Sequence, residues 1–100
     1  MSISLHVICP DGHNLRHLGN FVYETGRWTV SEDTARRVTR VHIHEKQQGP
    51  AYQGGDVMSW RADPEGTGRF YFTYRASQNA KIHCPGNWAQ ELAIIRREDH

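Results

Sequence analysis

The chain has 100 residues, a hydrophobic fraction of 37% and a formal net charge of +1. This length fits a single domain, residues 1–100, and the composition excludes an intrinsically disordered chain. No apolar run approaches the roughly 20 residues of a membrane helix, and the net charge alone gives no sign of a nucleic-acid partner. The first residues show neither a basic n-region nor an apolar h-region, so we expect a cytoplasmic protein.

The first half of the chain predicts short strands and one helix. "ISLHVIC", Ile3–Cys9, alternates along the chain as a strand does. A turn at Thr25–Gly26 is predicted to separate a short strand ending at Tyr23 from another strand through Val30. "SEDTARRVT" predicts a two-turn helix, because Ser31 can cap its first turn and acidic residues precede basic ones.

The next strand, "TRVHIHEK", alternates cleanly. Val41 and Ile43 are predicted on one face, and His42 and His44 on the other. A loop with a proline, a tyrosine and the pair Gly54–Gly55 follows. Two adjacent glycines let the backbone bend sharply or approach a ligand closely, so this loop is a candidate rim of a site. An ordinary hairpin connection is the alternative.

Two further strands complete the strand pattern. "GDVMSWRA" places Met58 and Trp60 on one face, and we expect both to be buried. "RFYFTYRA" alternates most strongly, with Phe70, Phe72 and Tyr74 on one face and Arg69, Tyr71, Thr73 and Arg75 on the other. The segment "AQELAIIRRED" fits a helix or a strand. The predicted fold is α+β: a small, mostly antiparallel, partly closed β-barrel with one or two short helices.

The polar side of the "RFYFTYRA" strand is the first candidate site. Arg69, Tyr71 and Arg75 share it, and Arg61 joins them if the preceding strand pairs as a hairpin. A sheet face that mixes arginine with aromatic rings can bind phosphates and stack bases. A solvated outer face of a half-buried sheet shows the same pattern, so both interpretations stay open here.

Metal and catalytic signals are weaker. Cysteine and histidine can ligate zinc, and the candidate ligands are Cys9, His13, His83 and Cys84. However, His83 and Cys84 are adjacent, and adjacent residues on a strand point in opposite directions. G-x-S-x-G, H-E-x-x-H and P-loop motifs are absent from the sequence, so we expect no cofactor and lean against an enzyme.

The segment Gly26 to Arg97 resembles the small PUA-like proteins, especially the EVE type and the related ASCH group. The likeness lies in the order of parts: "GRWTVS", a short helix, a strand ending in "HEK", a Pro-aromatic loop with "GG", and an aromatic-rich strand. It implies a pseudo-barrel that binds RNA or DNA, in some relatives by holding a modified base in an aromatic cage. The implied base-binding residues are Trp28, His44, Tyr52 and Trp88, and the implied phosphate-binding residues are Lys46, Arg61, Arg69 and Arg75.

The sequence therefore predicts a non-enzymatic nucleic-acid-binding module with RNA or DNA as partner and without a membrane partner. Two alternatives remain at this point. The chain can be a protein-interaction or regulatory module, as a monomer or a homodimer, with exposed aromatic residues as its hot spots. It can also be a small zinc-binding protein.

Overall fold

The computed structural model describes residues 2–12 and 14–97. Within this part of the chain there are seven strands and one α-helix, and the longest connection, residues 77–91, joins β6 to β7. The strands are β1 (Ser2–Ile8), β2 (Leu15–Gly19), β3 (Val22–Thr29), β4 (Val38–His44), β5 (Gln53–Ala62), β6 (Arg69–Ala76) and β7 (Leu92–Arg97). The helix α1 (Glu32–Arg37) connects β3 to β4, and 3-10 turns occupy Pro10–Gly12 and Gln78–Ala80.

All seven strands belong to one sheet, in the order β2-β3-β6-β5-β4-β1-β7. β1 and β4 are parallel, and every other neighbouring pair is antiparallel. The sheet curls strongly: Sγ of Cys9, just after β1, lies 3.7 Å from Oγ1 of Thr25 on β3, although three strands separate β1 from β3. The sheet-rich, mostly antiparallel prediction is confirmed. However, no ladder in the described residues joins β2 to β7, so the sheet is not closed into a barrel.

The curl encloses the hydrophobic core. Alternate residues of β1 and β4 face inward and meet the aromatic face of β6, because each strand presents one side chain in two to the same side. The core includes Ile3, Leu5 and Val7 of β1, Val41 and Ile43 of β4, and Phe70, Phe72 and Tyr74 of β6, with Trp28 and Val30 beside them. The predicted inward faces of these three strands are confirmed.

β5 departs from simple alternation. Its register against β6 shifts between Val57 and Ser59, which is a bulge centred on Met58. A bulge inserts one extra residue, so the faces exchange beyond it. Trp60 is half-buried and packs on Phe70 with ring centroids 5.7 Å apart, whereas Met58 is 56% exposed. The prediction that Met58 and Trp60 share a buried face is wrong for this reason.

The predicted turn at Thr25–Gly26 is also wrong, because β3 runs through both residues. The chain instead reverses between β2 and β3 at Asn20–Phe21, and both residues have positive φ angles. Such angles match the tight turns that join twisted strands, although phenylalanine is an unusual residue there. The segment "AQELAIIRRED", which fits a helix or a strand by its sequence, contains the strand β7.

Helix α1 follows its sequence signals. The Ser31 side chain accepts a hydrogen bond from the Thr34 backbone N–H at 3.1 Å, as the capping pattern predicts. Ala35 and Val38 face the core. In the described part of the chain, no helix is long and apolar enough to cross a membrane.

Gly54 and Gly55 lie inside β5, not in a mobile loop. Gly54 pairs with His42, and Gly55 is flanked by Val41 on β4 and Ala76 on β6. A Cβ on Gly55 would collide with the carbonyl oxygen of Arg75. The glycine pair therefore permits close approach between strands at the centre of the sheet, and the predicted rim of a site is wrong at these positions.

Candidate functional site

The structure does not bring the four implied base-binding residues together. Trp28 is in the core, where its Nε1 donates to Thr25 Oγ1 at 2.9 Å. The Tyr52 hydroxyl donates to the Cys9 carbonyl oxygen at 2.6 Å, and its ring lines a separate groove. Only His44 and Trp88 meet, edge to face, with ring centroids 5.0 Å apart. His44 is fully buried.

Three of the four implied phosphate-binding residues share one surface. Arg61 on β5 is the register partner of Tyr71 on β6, and its guanidinium carbon lies 3.9 Å from the centre of the Tyr71 ring. Arg69 and Arg75 are exposed on the same side of β6. We call this surface, made by Arg61, Arg69, Tyr71 and Arg75, the arginine face.

Lys46 does not lie on β5 or β6, the two strands that carry the arginine face. It is exposed in the loop after β4, at the end of the sheet where β5 begins. Eight residues separate Gln53 from Arg61 along β5, which corresponds to roughly 26 Å at the rise of an extended strand. Lys46 is therefore remote from Arg61, whereas Arg75 pairs with Asp56 near the end of β5 where this loop lies.

Acidic groups modulate the arginine face. Glu24 on β3 accepts two hydrogen bonds from Arg61, at 3.1 and 3.2 Å, and so holds the guanidinium over Tyr71. Asp56 is the register partner of Arg75, and its carboxylate is 76% exposed. The face consequently consists of a fixed arginine–tyrosine stack flanked by two exposed arginines.

A buried carboxylate fastens the β5–β6 hairpin at the edge of this face. Asp63 accepts hydrogen bonds from the Thr67 hydroxyl at 2.7 Å and from Arg27 at 2.6 and 3.0 Å. The Thr67 hydrogen bond and then the Arg27 pair lower the pKa of Asp63 to about 2. Its role is structural, because its acceptor oxygens are occupied within the hairpin.

A second polar cluster lies on the side of β1 and β4 that faces away from the core. In the parallel register of these strands, Ser4 is paired with Arg40 and His6 with His42. The His6 and His42 rings stack with centroids 4.3 Å apart and planes inclined by 16°. The alternation of "RVHIH" predicted a shared face for His42 and His44, but nothing in the sequence paired that face with His6.

Hydrogen bonds assign the tautomers of these histidines. His44 Nδ1 donates to the Gly49 carbonyl oxygen at 3.2 Å, because a carbonyl can only accept. In neutral His44, Nε2 then accepts, so His6 Nδ1 donates to it at 2.7 Å. His42 Nδ1 donates to the Ala80 carbonyl oxygen at 2.7 Å. Three imidazoles are thereby oriented by two backbone carbonyls.

The segment 78–88 covers this side of the sheet and leaves a small cleft. The cleft has a volume of about 180 Å³ and is lined by Ser4, His6, Arg40, His42, Asn79, Ile82, Pro85 and Ile95. We call it the histidine cleft. Pockets for drug-sized ligands measure about 300–1,000 Å³, so this one fits a single small group. Trp88, which is not one of the lining residues, makes an edge contact with His6, with ring centroids 6.3 Å apart.

The predicted zinc ligands do not assemble in the described residues. Cys9 is buried beside Thr25, and burial raises the pKa of its thiol to about 11. Cys84 is a half-buried free thiol in the covering segment, and His13 lies outside the described residues. No group of three or more histidine, cysteine or acidic side chains within 2–12 and 14–97 is placed to hold a metal ion.

Folding stability is expected to fall as pH falls below about 6.5, the ordinary pKa of histidine. Burial lowers the pKa of His44, and the Gly49 hydrogen bond opposes this effect only in part. The unfolded chain therefore takes up a proton where the folded imidazole remains neutral, so the free energy of unfolding decreases with acidification. Urea unfolding at several pH values measures this slope.

The matched control is His17→Gln, which changes an exposed histidine on β2 and should leave the slope intact. His44→Gln should reduce the slope. An unchanged slope in His44→Gln would contradict the assignment of His44 as a buried neutral group.

Comparison with known proteins gives no match: no protein-family model, no curated protein and no solved structure is significantly similar to this chain.

Proposed function

We propose that the protein is a non-enzymatic nucleic-acid-binding module and that the arginine face contacts the nucleic acid. The observation that carries this proposal is the Arg61–Tyr71 stack on β5 and β6, with exposed Arg69 and Arg75 on the same side. Guanidinium groups suit bidentate contact with phosphates, and both guanidinium and phenol rings can stack on bases.

The dimensions of the arginine face fit a run of phosphates. Arg69 and Arg75 are six residues apart on β6, which corresponds to about 20 Å along the strand. One strand of a duplex advances about 3.4 Å per phosphate, so this length spans about six nucleotides. We infer that Arg69 and Arg75 contact phosphates near the two ends of such a segment.

Arg61 has a different part in this proposal. Because Glu24 accepts two of its hydrogen bonds, its charge is already compensated. Its planar group, fixed over Tyr71, is suited to stacking on an exposed base. Phosphate contacts then position the nucleic acid, and stacking on Arg61 contributes a base contact.

A PUA-like relationship and a cytoplasmic location are part of the same proposal. The relationship is supported by the order of strands and helix and by a curl that brings Cys9 close to Thr25. The proposal does not include an aromatic cage built from Trp28, His44, Tyr52 and Trp88, because Trp28 and Tyr52 lie apart.

The double variant Arg69→Gln, Arg75→Gln is expected to bind RNA or DNA at least tenfold more weakly at low salt. Fluorescence anisotropy with single-stranded and duplex probes of both nucleic acids, across a salt series, measures this. Removing two phosphate contacts should reduce the slope of log affinity against log salt by about 1.4 to 1.8, at 0.7 to 0.9 per contact.

The control is Arg36→Gln, Arg37→Gln on α1, which removes the same charge from exposed residues that pair with Glu32 and Asp33. An equal loss of nucleic-acid affinity in the control would show that binding depends only on the net charge of the protein and not on the arginine face. Absence of salt-dependent binding by the unmodified protein would contradict the proposal. If the mass of the protein in solution then rises with its concentration, a homodimeric interaction module is favoured. Phe21, which is 73% exposed beside the edge strand β2, is then the candidate residue of the dimer interface.

A further inference from the structure

We propose that the histidine cleft binds a phosphate group, either as free phosphate or as the phosphate of a monoester such as a nucleotide. This site lies over β1 and β4, next to the arginine face, because Asp56 of β5 is the register partner of both Arg40 and Arg75. Its lining brings together a guanidinium, a carboxamide, a hydroxyl and two imidazoles. None of the eight lining residues carries a carboxylate. This combination favours an anion over a cation or a neutral ligand.

Arg40 provides the permanent positive charge. Its Nη2 donates to Asn79 Oδ1 at 2.8 Å, and Ser77 donates to the same oxygen at 2.7 Å. These two contacts identify Oδ1 as the acceptor, so the Asn79 amide retains its N–H donors for other partners. The orientation of Asn79 is therefore set by Arg40 and Ser77, which prepares a donor at the cleft.

The charge of Arg40 is only weakly compensated. Asp56 Oδ1 lies 3.7 Å from Arg40 Nε, which is beyond hydrogen-bond distance, and this carboxylate is mostly exposed to solvent. Arg40 Nε is buried and has no hydrogen-bond partner among residues 2–12 and 14–97. Buried donors without a partner are rare in folded proteins, so this cation favours a bound anion nearby.

The two imidazoles add a proton-linked component. Because Nδ1 of His6 and of His42 donates inside the protein, Nε2 is the nitrogen that changes on protonation. Protonation converts Nε2 from an acceptor into a donor and adds a positive charge. An anion in the cleft stabilises this form, so binding should take up protons and strengthen towards lower pH.

The surrounding charged and titratable groups are consistent with this linkage. β4 contributes Arg40 and His44, β5 contributes Asp56 beside Arg40, and the covering segment contributes His83. Among the described residues that line the cleft, β1 contributes Ser4 and His6, and β7 contributes Ile95. Among residues 2–12 and 14–97, Asp56 is the carboxylate that lies within ion-pair distance of Arg40, and it faces solvent.

The size and walls of the cleft favour a phosphate group. A volume of about 180 Å³ holds one small group, and Ile82, Pro85 and Ile95 form an apolar wall that strengthens charge–charge interactions. A tetrahedral oxyanion can accept hydrogen bonds from several directions at once. The second pKa of a phosphate monoester, near 6, lies close to the ordinary pKa of histidine, so this ligand and the imidazoles titrate in the same pH range.

Titration of the full chain with inorganic phosphate, a nucleoside 5′-monophosphate, the matching nucleoside and acetate tests the proposal. Calorimetry gives affinities, and ring shifts of His6 and His42 in NMR spectra locate the ligand. We expect saturable binding of both phosphates at least tenfold tighter than that of the nucleoside or acetate. Affinity for the phosphate dianion should rise at least threefold from about pH 7.5 to about pH 6, across the histidine titration range.

Arg40→Gln is expected to weaken phosphate binding at least tenfold, whereas Arg37→Gln on α1 should leave it unchanged. If Arg40→Gln does not fold, Asn79→Ala removes an exposed carboxamide and should weaken binding at least threefold. Tighter binding of the monophosphate than of inorganic phosphate would identify a phosphate monoester as the ligand of the cleft. Equal binding of the two would identify free phosphate as the ligand.

Equal affinity for the nucleoside and the monophosphate would overturn the proposal, as would phosphate binding that survives both Arg40→Gln and Asn79→Ala. The double variant Arg69→Gln, Arg75→Gln should retain phosphate binding in the cleft. Failure of the nucleic-acid proposal and failure of this one are therefore measured by different variants.

Discussion

Gly55→Ala, at the centre of the sheet, is expected to destabilise the protein more than glycine-to-alanine changes in the connecting loops. The added Cβ would meet the carbonyl oxygen of Arg75, and the Arg75 carbonyl carbon would lie only 2.7 Å away. Both obstacles are backbone atoms of β6, so no side-chain rotation relieves the collision. Gly55 is also paired to β4 on its other side, so β5 cannot move away.

The expected loss of unfolding free energy exceeds the roughly 1–3 kcal/mol of ordinary overpacking in a core. A small domain has only about 5–15 kcal/mol in total, so a lower yield of folded protein is part of the expected result. Urea denaturation followed by circular dichroism measures the loss.

Gly66→Ala is the matched control for this change. A Cβ at Gly66 meets no atom within 4 Å, but its φ of +69° is unfavourable for alanine. The strain of that left-handed conformation alone costs about 1–2 kcal/mol. If Gly55→Ala costs no more than Gly66→Ala, the close approach of β5 and β6 at Gly55 is contradicted.

Phe72→Ala is expected to lower the free energy of unfolding by about 3–5 kcal/mol, which is typical for truncation of a buried phenylalanine. Phe72 is fully buried on β6, opposite Trp60 of β5, in the middle of the curled sheet. Neighbouring strands restrict the collapse of the resulting cavity, so the loss of contacts adds to the loss of apolar burial.

Phe21→Ala makes the same chemical change at a residue that is 73% exposed. Its expected effect is within about 0.5 kcal/mol, as for most surface substitutions. The midpoint of urea denaturation, with an unchanged dependence on denaturant, separates the two variants. A loss in Phe21→Ala that grows with protein concentration would show instead that Phe21 is buried between two copies of the chain.

The two proposed binding surfaces use different arginines and can be tested one at a time, although both border Asp56, the register partner of Arg40 and of Arg75. The arginine face belongs to β5 and β6, whereas the histidine cleft belongs to β1, β4 and the covering segment. Arg69 and Arg75 contribute to the first only, and Arg40 contributes to the second only. For a nucleic acid with a terminal phosphate, the single-surface variants show whether its affinity depends on each surface.

Much of the local structure followed from the sequence. Period-2 alternation predicted β1, β4 and β6 with their inward residues, because a strand places successive side chains on opposite sides whatever surrounds it. The signal for α1 was equally local: Ser31 caps a turn that starts only three residues away. Interactions of this range need no knowledge of the remaining fold.

The errors occurred where the strand register changes. The bulge at Met58 reverses the faces of β5, and an irregularity between Thr25 and Trp28 lets β3 continue through a predicted turn. Gly54 and Gly55 were interpreted as flexible, although their small size is needed for close packing between strands. Each of these features depends on a partner strand that is distant in sequence.

For the candidate sites, alternation along "RFYFTYRA" by itself determined that Arg69, Tyr71 and Arg75 share one side of β6. That was sufficient for the arginine face, since Arg61, Arg69 and Arg75 lie on two strands joined by a short hairpin. Only the tertiary structure decided that His6 stacks on His42 and that the segment 78–88 covers both. The reason is physical: β1 and β4 are parallel neighbours from distant parts of the chain, and alternation along one strand carries no information about which strand, or which loop, will lie against it.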